Sequence, residues 1–407
     1  MLQGIRIQNY RIFSDDRAGI LQKDLWEETP DSSLSRSAGL SPSIPMSNLM
    51  ALIGRNASGK SLFFDALSFV ADCTSQGCAA ASTMHGRQGF AKLLNHPGQP
   101  MSFEFLFLMQ SRKDTNPTGQ NGTEGIYVSY SFHLDSDSHG RPFYVMEKVA
   151  VIHKNAEDTW DTTSCLDLRD GKGTVLSGKD QVPGGVSDKK VSALRSYGAI
   201  LSFPILTALL KEISHWFFCS FSVDKNGSKG SVAPGGQKHL NNDGSNVQNV
   251  LDYMRIENPS VYKSVMDRIA DRIPNVKKVS SALPDSFRSS PDKLFLYLLL
   301  LDDPMPRPLI CVETPDMGLY HDMVDVLASE FRNYSIRHAF SQIIFTTHNP
   351  YILESMAPHE VWIFKRNDSD EVDQVNITCA GANPVVSEMY DQGVGMGAIW
   401  YSGHFDG

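Results

Sequence analysis

One stretch constrains this chain more than any other. Gly54-Arg55-Asn56-Ala57-Ser58-Gly59-Lys60-Ser61 has the pattern G-x-x-x-x-G-K-[ST]. Average residue frequencies produce that pattern by chance in about 1–2% of chains of this length. The run Leu49-Met50-Ala51-Leu52-Ile53 just before it is apolar and ends at glycine, which predicts a short buried strand. After it, Leu62, Phe63, Ala66, Leu67 and Val70 recur at helical spacing and predict a helix over 61–71. A strand, a glycine loop and a helix in that order form the context a phosphate-binding loop requires. The chemistry follows from the residues. Glycines let backbone N–H groups turn inward around a phosphate, and the helix N-terminus adds its positive end. Lys60 is placed to reach the β- and γ-phosphates, and Ser61 to ligate Mg²⁺. The expected ligands are ATP and Mg²⁺.

Such a loop needs a carboxylate at the end of a nearby strand to help hold the metal. Leu309-Ile310-Cys311-Val312-Glu313 has that form, four apolar residues and then an acid. Asp302 and Asp303 are also acidic but follow a predicted helix, Leu294 to Leu301, that is apolar all round. Gln342-Ile343-Ile344-Phe345 is a second short buried strand, and it runs into Thr346-Thr347-His348. His348 is therefore the candidate to sense the γ-phosphate or the attacking water. A helix over about 320–334 separates the two strands, and strand, helix, strand at that spacing predicts a parallel pair.

The rest of the chain sets the frame. Residues 2–13 read as a strand. Ser14 to Ser47 is polar and Ser-rich and reads as a loop insertion. Residues 102–109 form another apolar run. Ile126–Leu134 and Phe143–His153 alternate about an Asp-Ser-Asp-Ser-His-Gly turn, which is a hairpin signature, so the middle of the chain is β-rich. Helices are predicted over 247–256 and 260–273. The six cysteines are scattered without paired C-x-x-C sets, so they read as reduced, buried thiols and not as a zinc site or a disulfide framework. The N-terminus lacks the apolar core of a signal peptide, and Leu2 occupies the position where myristoylation needs glycine. No apolar run approaches the roughly 20 residues that span a bilayer. These features predict a cytoplasmic protein. With 37 basic against 46 acidic residues the net charge is −9, which argues against a generally basic nucleic-acid binder. Lys225, Lys229 and Lys238 lie in a Gly-rich segment; a solvated loop is the simpler reading, and DNA contact stays open.

At this point the chain resembles a known family: predicted AAA-type ATPases of the ABC branch of P-loop proteins, near the SMC, RecF and OLD heads. The resemblance is carried by Ile7-Gln8-Asn9-Tyr10-Arg11-Ile12-Phe13, the phosphate loop, and Gly89-Phe90-Ala91-Lys92-Leu93-Leu94. It is carried further by Asp243-Gly244-Ser245-Asn246, the Glu313 strand, Thr346-Thr347-His348-Asn349-Pro350 and Gly397-Ala398-Ile399-Trp400-Tyr401-Ser402-Gly403. The last of these is similar to the family's own C-terminus, which implies a chain without an appended Toprim nuclease domain. The implied fold is α/β, a P-loop NTPase of ABC/SMC-head type with a mixed sheet around the P-loop helix. The expected division is an N-terminal lobe over 1–110, a β-rich insertion with loops over 111–246, and a helical lobe with the acidic and histidine strands over 247–407. The resemblance also implies Arg11 near the nucleotide, Glu313 at Mg²⁺ and His348 at the γ-phosphate. It implies a homodimer or higher oligomer and a protein partner such as a nuclease in anti-phage defence or DNA maintenance.

Two departures bear on activity. The family usually carries a second carboxylate after the metal-binding one, to polarise water; here the pair is Glu313-Thr314. Losing a general base typically costs about 10²- to 10⁴-fold in rate. Asp316 is the candidate replacement, although Pro315 between them predicts that it points elsewhere. The Ser-Asp-Gly-like turn that grips the opposite subunit's γ-phosphate is replaced by Phe287-Arg288-Ser289-Ser290-Pro291-Asp292-Lys293. There Ser289, Ser290 and Lys293 remain able to touch phosphate, but not in the usual geometry. The expectation is a site that holds MgATP and hydrolyses it slowly or not at all. The alternative is an ATPase stimulated by DNA or a partner, using Asp316 or His348.

Overall fold

In the computed structural model, the structure describes residues 1–27, 44–111, 124–155, 159–221, 238–273, 290–367 and 374–405. Lys225, Lys229 and residues 287–289 of the altered turn lie outside them. The described chain divides into two units that interleave along the sequence. The first comprises 1–47, 52–216 and 359–387; the second comprises 48–51, 217–358 and 388–407.

The first unit is organised by aromatic alternation. Its strands are β1 (Leu2–Tyr10), β2 (Phe13–Gly19), the end of β3 (Leu49–Ile53), β4 (Met101–Ser111), β5 (Glu124–Ser136), β6 (Pro142–Lys154), β7 (Trp160–Arg169), β8 (Lys172–Ser177) and β9 (Asp180–Gly185). All but β3 form one eight-stranded sheet, β2-β1-β4-β5-β6-β7-β8-β9, and every pairing in it is antiparallel. Phe103, Phe105 and Phe107 lie two apart on β4, so they share one face. All three are buried. Phe103 faces Phe132 and Phe105 faces Tyr130 across the β4–β5 register, with ring centroids at 5.2 and 6.2 Å. The helix Lys60–Gln76 packs on this face through Phe69, which sits 5.4 Å from the Tyr10 ring and 6.0 Å from Phe103. Such pairs contribute about 0.5–1.5 kcal/mol each beyond area burial, and they fix where the N-terminal end of that helix points.

One expectation is corrected here. Residues 2–13 are not a single strand, because β1 ends at Tyr10 and reverses into β2. The reversal is made by Arg11, whose φ of 52° is left-handed and cannot continue an extended strand. Residues 14–19, expected as loop, therefore belong to β2, and Gln22–Glu27 is a short helix.

The second unit holds β10 (Phe217–Cys219), β11 (Leu309–Val312) and β12 (Gln342–Thr346), all parallel. The helix His321–Arg337 connects β11 to β12, as the spacing predicts. The start of β3 joins them, since Ile343 N–H donates to Asn48 O at 2.9 Å. The helix Ser290–Leu301 is buried on every side from Leu294 to Leu301, which explains its unbroken apolar sequence. Helices Val247–Glu257 and Pro259–Arg272 complete the helical part. The remaining strands, β13 (Val361–Asn367) and β14 (Gln374–Cys379), form an antiparallel pair in the first unit. All six cysteines are buried thiols, as expected.

Candidate nucleotide site

The loop between β3 and the helix Lys60–Gln76 has the backbone that its glycines allow. Gly54 has φ 142°, and a Cβ there would lie 2.3 Å from the carbonyl oxygen of Phe364. Only glycine fits. Gly59 sits in the left-handed region at φ 105° and is the first residue before the helix. Ala57 is also left-handed, at φ 62°. Arg55, Asn56 and Ala57 lie toward the loop tip, Ser58 and Gly59 are buried beneath it, and Ser61 is exposed on the first helical turn. The Lys60 side chain folds back over the loop. Its Nζ donates to Gly54 O and Arg55 O, both at 2.8 Å, and lies 3.4 Å from Ser58 Oγ. Lys60 is only 7% exposed, and burial pulls its amine below the ordinary lysine range. A cation stripped of water and held by carbonyl oxygens gains by exchanging them for phosphate oxygens.

Arg11 lies in the turn between β1 and β2, next to Ile12. Ile12 packs at Gly59, where a Cβ would come 2.9 Å from Ile12 Cδ1. The Gly89–Leu94 segment holds the turn in place. Arg11 N–H donates to Leu93 O at 2.6 Å, and Asn95 Nδ2 donates to Arg11 O at 2.5 Å. Asn9, left-handed at φ 58°, receives His96 N–H on its own Oδ1 at 2.5 Å. The Arg11 guanidinium pairs with Asp65 at 2.7 Å, on the second turn of the P-loop helix.

Asp65 belongs to a network that the sequence did not reveal. Arg87 is 1% exposed and reaches Asp65 at 2.8 Å, Asp72 at 2.6 Å and Ser68 Oγ at 3.0 Å. It also donates to Ala81 O at 3.0 Å. Tyr10 OH donates to Asp65 at 2.8 Å. One arginine thus ties three residues of the P-loop helix to the segment that follows it. The spacing of Asp65, Ser68 and Asp72 along one helix face is the signal that could have shown it.

The acidic candidates lie in the second unit. Glu313 follows β11 directly and is exposed. Thr314 takes a left-handed φ of 40°, unusual for a β-branched residue. Its N–H donates to Thr346 Oγ1 at 3.0 Å, which joins the ends of β11 and β12. Asp316, which Pro315 predicts to point elsewhere than the missing carboxylate would, bonds to the end of β12. Its Oδ1 accepts the hydroxyl of Thr347 at 3.0 Å, and Thr347 Oγ1 in turn accepts Asn349 N–H at 2.9 Å. Burial pushes the Asp316 carboxyl above the usual range, against the pull of Lys293 and His348. His348 is exposed one residue beyond Thr347. The structure therefore places Glu313, Thr314, Asp316 and His348 at the ends of two adjacent strands. Lys293, expected to remain able to touch phosphate, is 6% exposed and donates to Met317 O at 2.6 Å. Its amine straps the buried helix to the loop after Glu313.

The family profile described as "AAA domain, putative AbiEii toxin, Type IV TA system" matches residues 49–162 and 253–354, more than half of the chain. The chain belongs to this AAA family. The matched segments of the AAA domain hold β3, the phosphate loop, Arg87, β11, Glu313 and His348. No curated protein matches the sequence. Among solved structures, the chain is similar to an SMC head bound to the C-winged helix domain of ScpA, at 13% identity, covering 93% of this chain and 97% of that one, with a TM-score of 0.48. It is similar to the SMC head domain from Thermotoga maritima, at 13% identity, 93% and 98% coverage and a TM-score of 0.38. An SMC head with an extended coiled coil from Pyrococcus furiosus, bound to the C-terminal domain of ScpA, gives 11% identity, 96% and 98% coverage and a TM-score of 0.44. Membership in the AAA family rests on the sequence match. Among the described residues no helix is long and apolar enough to cross a membrane.

Proposed function

We propose that this AAA domain binds MgATP at the phosphate loop, hydrolyses it slowly, and uses nucleotide occupancy as a switch for a protein partner. One contrast carries the reading. The phosphate loop keeps its glycines, Lys60 and Ser61, with Gly59 left-handed before the helix, whereas the residue after Glu313 is a threonine whose N–H donates to Thr346. The donor set fits the ligands. Lys60 and the loop N–H groups suit phosphate oxygens, and the Ser61 hydroxyl and exposed Glu313 carboxylate are hard oxygen donors suited to Mg²⁺. Bound ATP supplies the γ-phosphate that distinguishes one state from the other. Lys60 would trade Gly54 O and Arg55 O for phosphate, and His348 would report the γ-phosphate to β12. A ligand shifts an equilibrium only through unequal affinity for two states, so the switch needs a partner that prefers one of them. We propose a second copy of the chain, and beyond it a nuclease, as such partners.

The test is a titration of the full chain with ATP and Mg²⁺ beside a turnover assay. Wild-type protein should bind and turn over below about 1 s⁻¹, under the ordinary enzyme range. Lys60→Ala should weaken binding about 100-fold, the worth of one or two hydrogen bonds to a charged group. Faster turnover without added partners would sink the switch reading. A second reading, an ATPase that needs DNA or a protein for stimulation, is favoured by one observation: the Asp316 carboxyl lies against Thr347, beside His348.

A further inference from the structure

The second unit holds a cavity of about 300 Å³ walled by the helices Pro259–Arg272, Ser290–Leu301 and His321–Arg337. Arg268 and Arg272 stand one turn apart on the first helix, so both face the cavity. Arg337, the last residue of the third helix, enters from the other side. Two carboxylates, Asp302 and Glu330, line it as well. The five charges leave the cavity formally positive.

The pairing inside is uneven. Arg272 closes tightly on Glu330, which also accepts Asn333 Nδ2 at 3.2 Å. Arg268 and Arg337 share the single carboxylate of Asp302 at 3.4 and 3.5 Å. Arg6–Asp15 meet at 2.6 Å, Arg11–Asp65 at 2.7 Å and Arg17–Asp24 at 3.3 Å, so both contacts on Asp302 are longer than these. A guanidinium is a fork of five donors built for two parallel bonds to an oxyanion. Asp302 offers each fork a long contact. Burial still holds the Asp302 carboxyl above its usual range despite two neighbouring guanidinium groups, so the pairing leaves it poorly compensated. A bridge that served only to join helices would close up; here the charges surround open volume. Its lining includes the buried Ile269 and Leu298 and one exposed apolar side chain, Ile336.

We propose that this cavity binds a small phosphate ester, its phosphate held by the forks of Arg268 and Arg337 and its organic part laid against Ile336. The site is separate from the phosphate loop and does not depend on the ATP reading. Its volume exceeds what a bare phosphate fills and lies at the lower end of the range for small-molecule pockets. The ligand class is therefore an ester, not the free ion.

The experiment titrates the full chain with ribose 5-phosphate and, separately, with inorganic phosphate, by calorimetry and thermal shift. Three proteins are compared: wild type, Arg268→Gln with Arg337→Gln, and Lys60→Ala. The ester should bind wild type about tenfold or more tightly than inorganic phosphate. The paired glutamine variant should lose about 100-fold in ester affinity, two charge-assisted pairs being removed. Lys60→Ala should bind the ester as wild type does. If the glutamine pair does not fold, Arg268→Lys with Arg337→Lys replaces it, keeping the charge and removing the fork; it should weaken ester binding at an unchanged unliganded melting temperature. Absence of ester binding, loss of ester binding in Lys60→Ala, or full ester affinity in the arginine variants overturns the site. Equal affinity for the two probes overturns the ester assignment.

Discussion

The phosphate loop and the ends of β11 and β12 are built differently. The phosphate loop is a backbone device. Its shape comes from left-handed turns at Ala57 and Gly59 and from the close approach that Gly54 permits to Phe364 O. One side chain, Lys60, then adds the charge. The ends of β11 and β12 are a side-chain device. There Thr314, Asp316, Thr346 and Thr347 are joined by single hydrogen bonds, and the chemistry changes with any one residue. Backbone devices tolerate little variation and keep their pattern. Side-chain devices can lose a step of chemistry while the strands under them stay intact. On the proposed reading, this chain combines both outcomes.

The sharpest way to break the comparison is to put a carboxylate where the proposed reading lacks a base. Thr314→Glu places a carboxylate after Glu313, and a glutamate strains the left-handed backbone less than a β-branched threonine. If the site lacks only its base, single-turnover hydrolysis should rise about 10²- to 10⁴-fold. An unchanged rate would mean that Asp316 or His348 already does this work, and the side-chain device would then be complete.

A second experiment probes how firmly the backbone device is braced. Arg87→Leu removes a buried cation from between Asp65 and Asp72. Breaking a buried ion pair from one side typically costs about 3–5 kcal/mol. Urea melts should show that loss, and ATP affinity should fall less than in Lys60→Ala, because the loop glycines remain. A change under about 1 kcal/mol, well short of that cost, would show that Arg11 and Tyr10 alone hold Asp65 and that Arg87 is dispensable.

The legibility of this molecule in its sequence follows the same division. β3, the phosphate loop, its helix and the parallel pair β11–β12 could be read because each is local: a short apolar run, a glycine pattern, a helical period. The family resemblance implies Arg11 near the nucleotide; what the structure shows of Arg11 is its pairing with Asp65 on the P-loop helix. What could not be read depends on distant chain segments. The reversal at Arg11 needs Leu93 and Asn95 to hold it, far along the chain. Arg87 looks like one cation among many, since nothing local says that a charged residue will be buried. Lys293 is hidden for a related reason. Its partner is a backbone carbonyl, that of Met317, and carbonyls are invisible to residue patterns. For Asp316 the local signal is Pro315, whereas Thr347, on the neighbouring strand's end, decides where it lies.

The smallest effect separates the two readings of Asp316. Its carboxyl is raised by burial above the unfolded value of 3.8. In the pH range above that value the folded state therefore binds more protons than the unfolded state, and stability falls as pH rises through the folded value. The groups that face it are Lys293, His348 and the Thr347 hydroxyl. Asp316→Asn removes the titration and keeps an oxygen for Thr347. The variant's stability advantage should be absent below the unfolded value and grow with pH until the folded carboxyl is ionised, by at most about 1.4 kcal/mol per pH unit. Urea melts across that range measure it. Turnover is the second readout from the same protein. If Asp316 serves only to hold Thr347, the residual rate should be unchanged at neutral pH. If it is the base, the rate should fall together with its pH dependence, and the contrast between the two devices would then narrow to Thr314 alone.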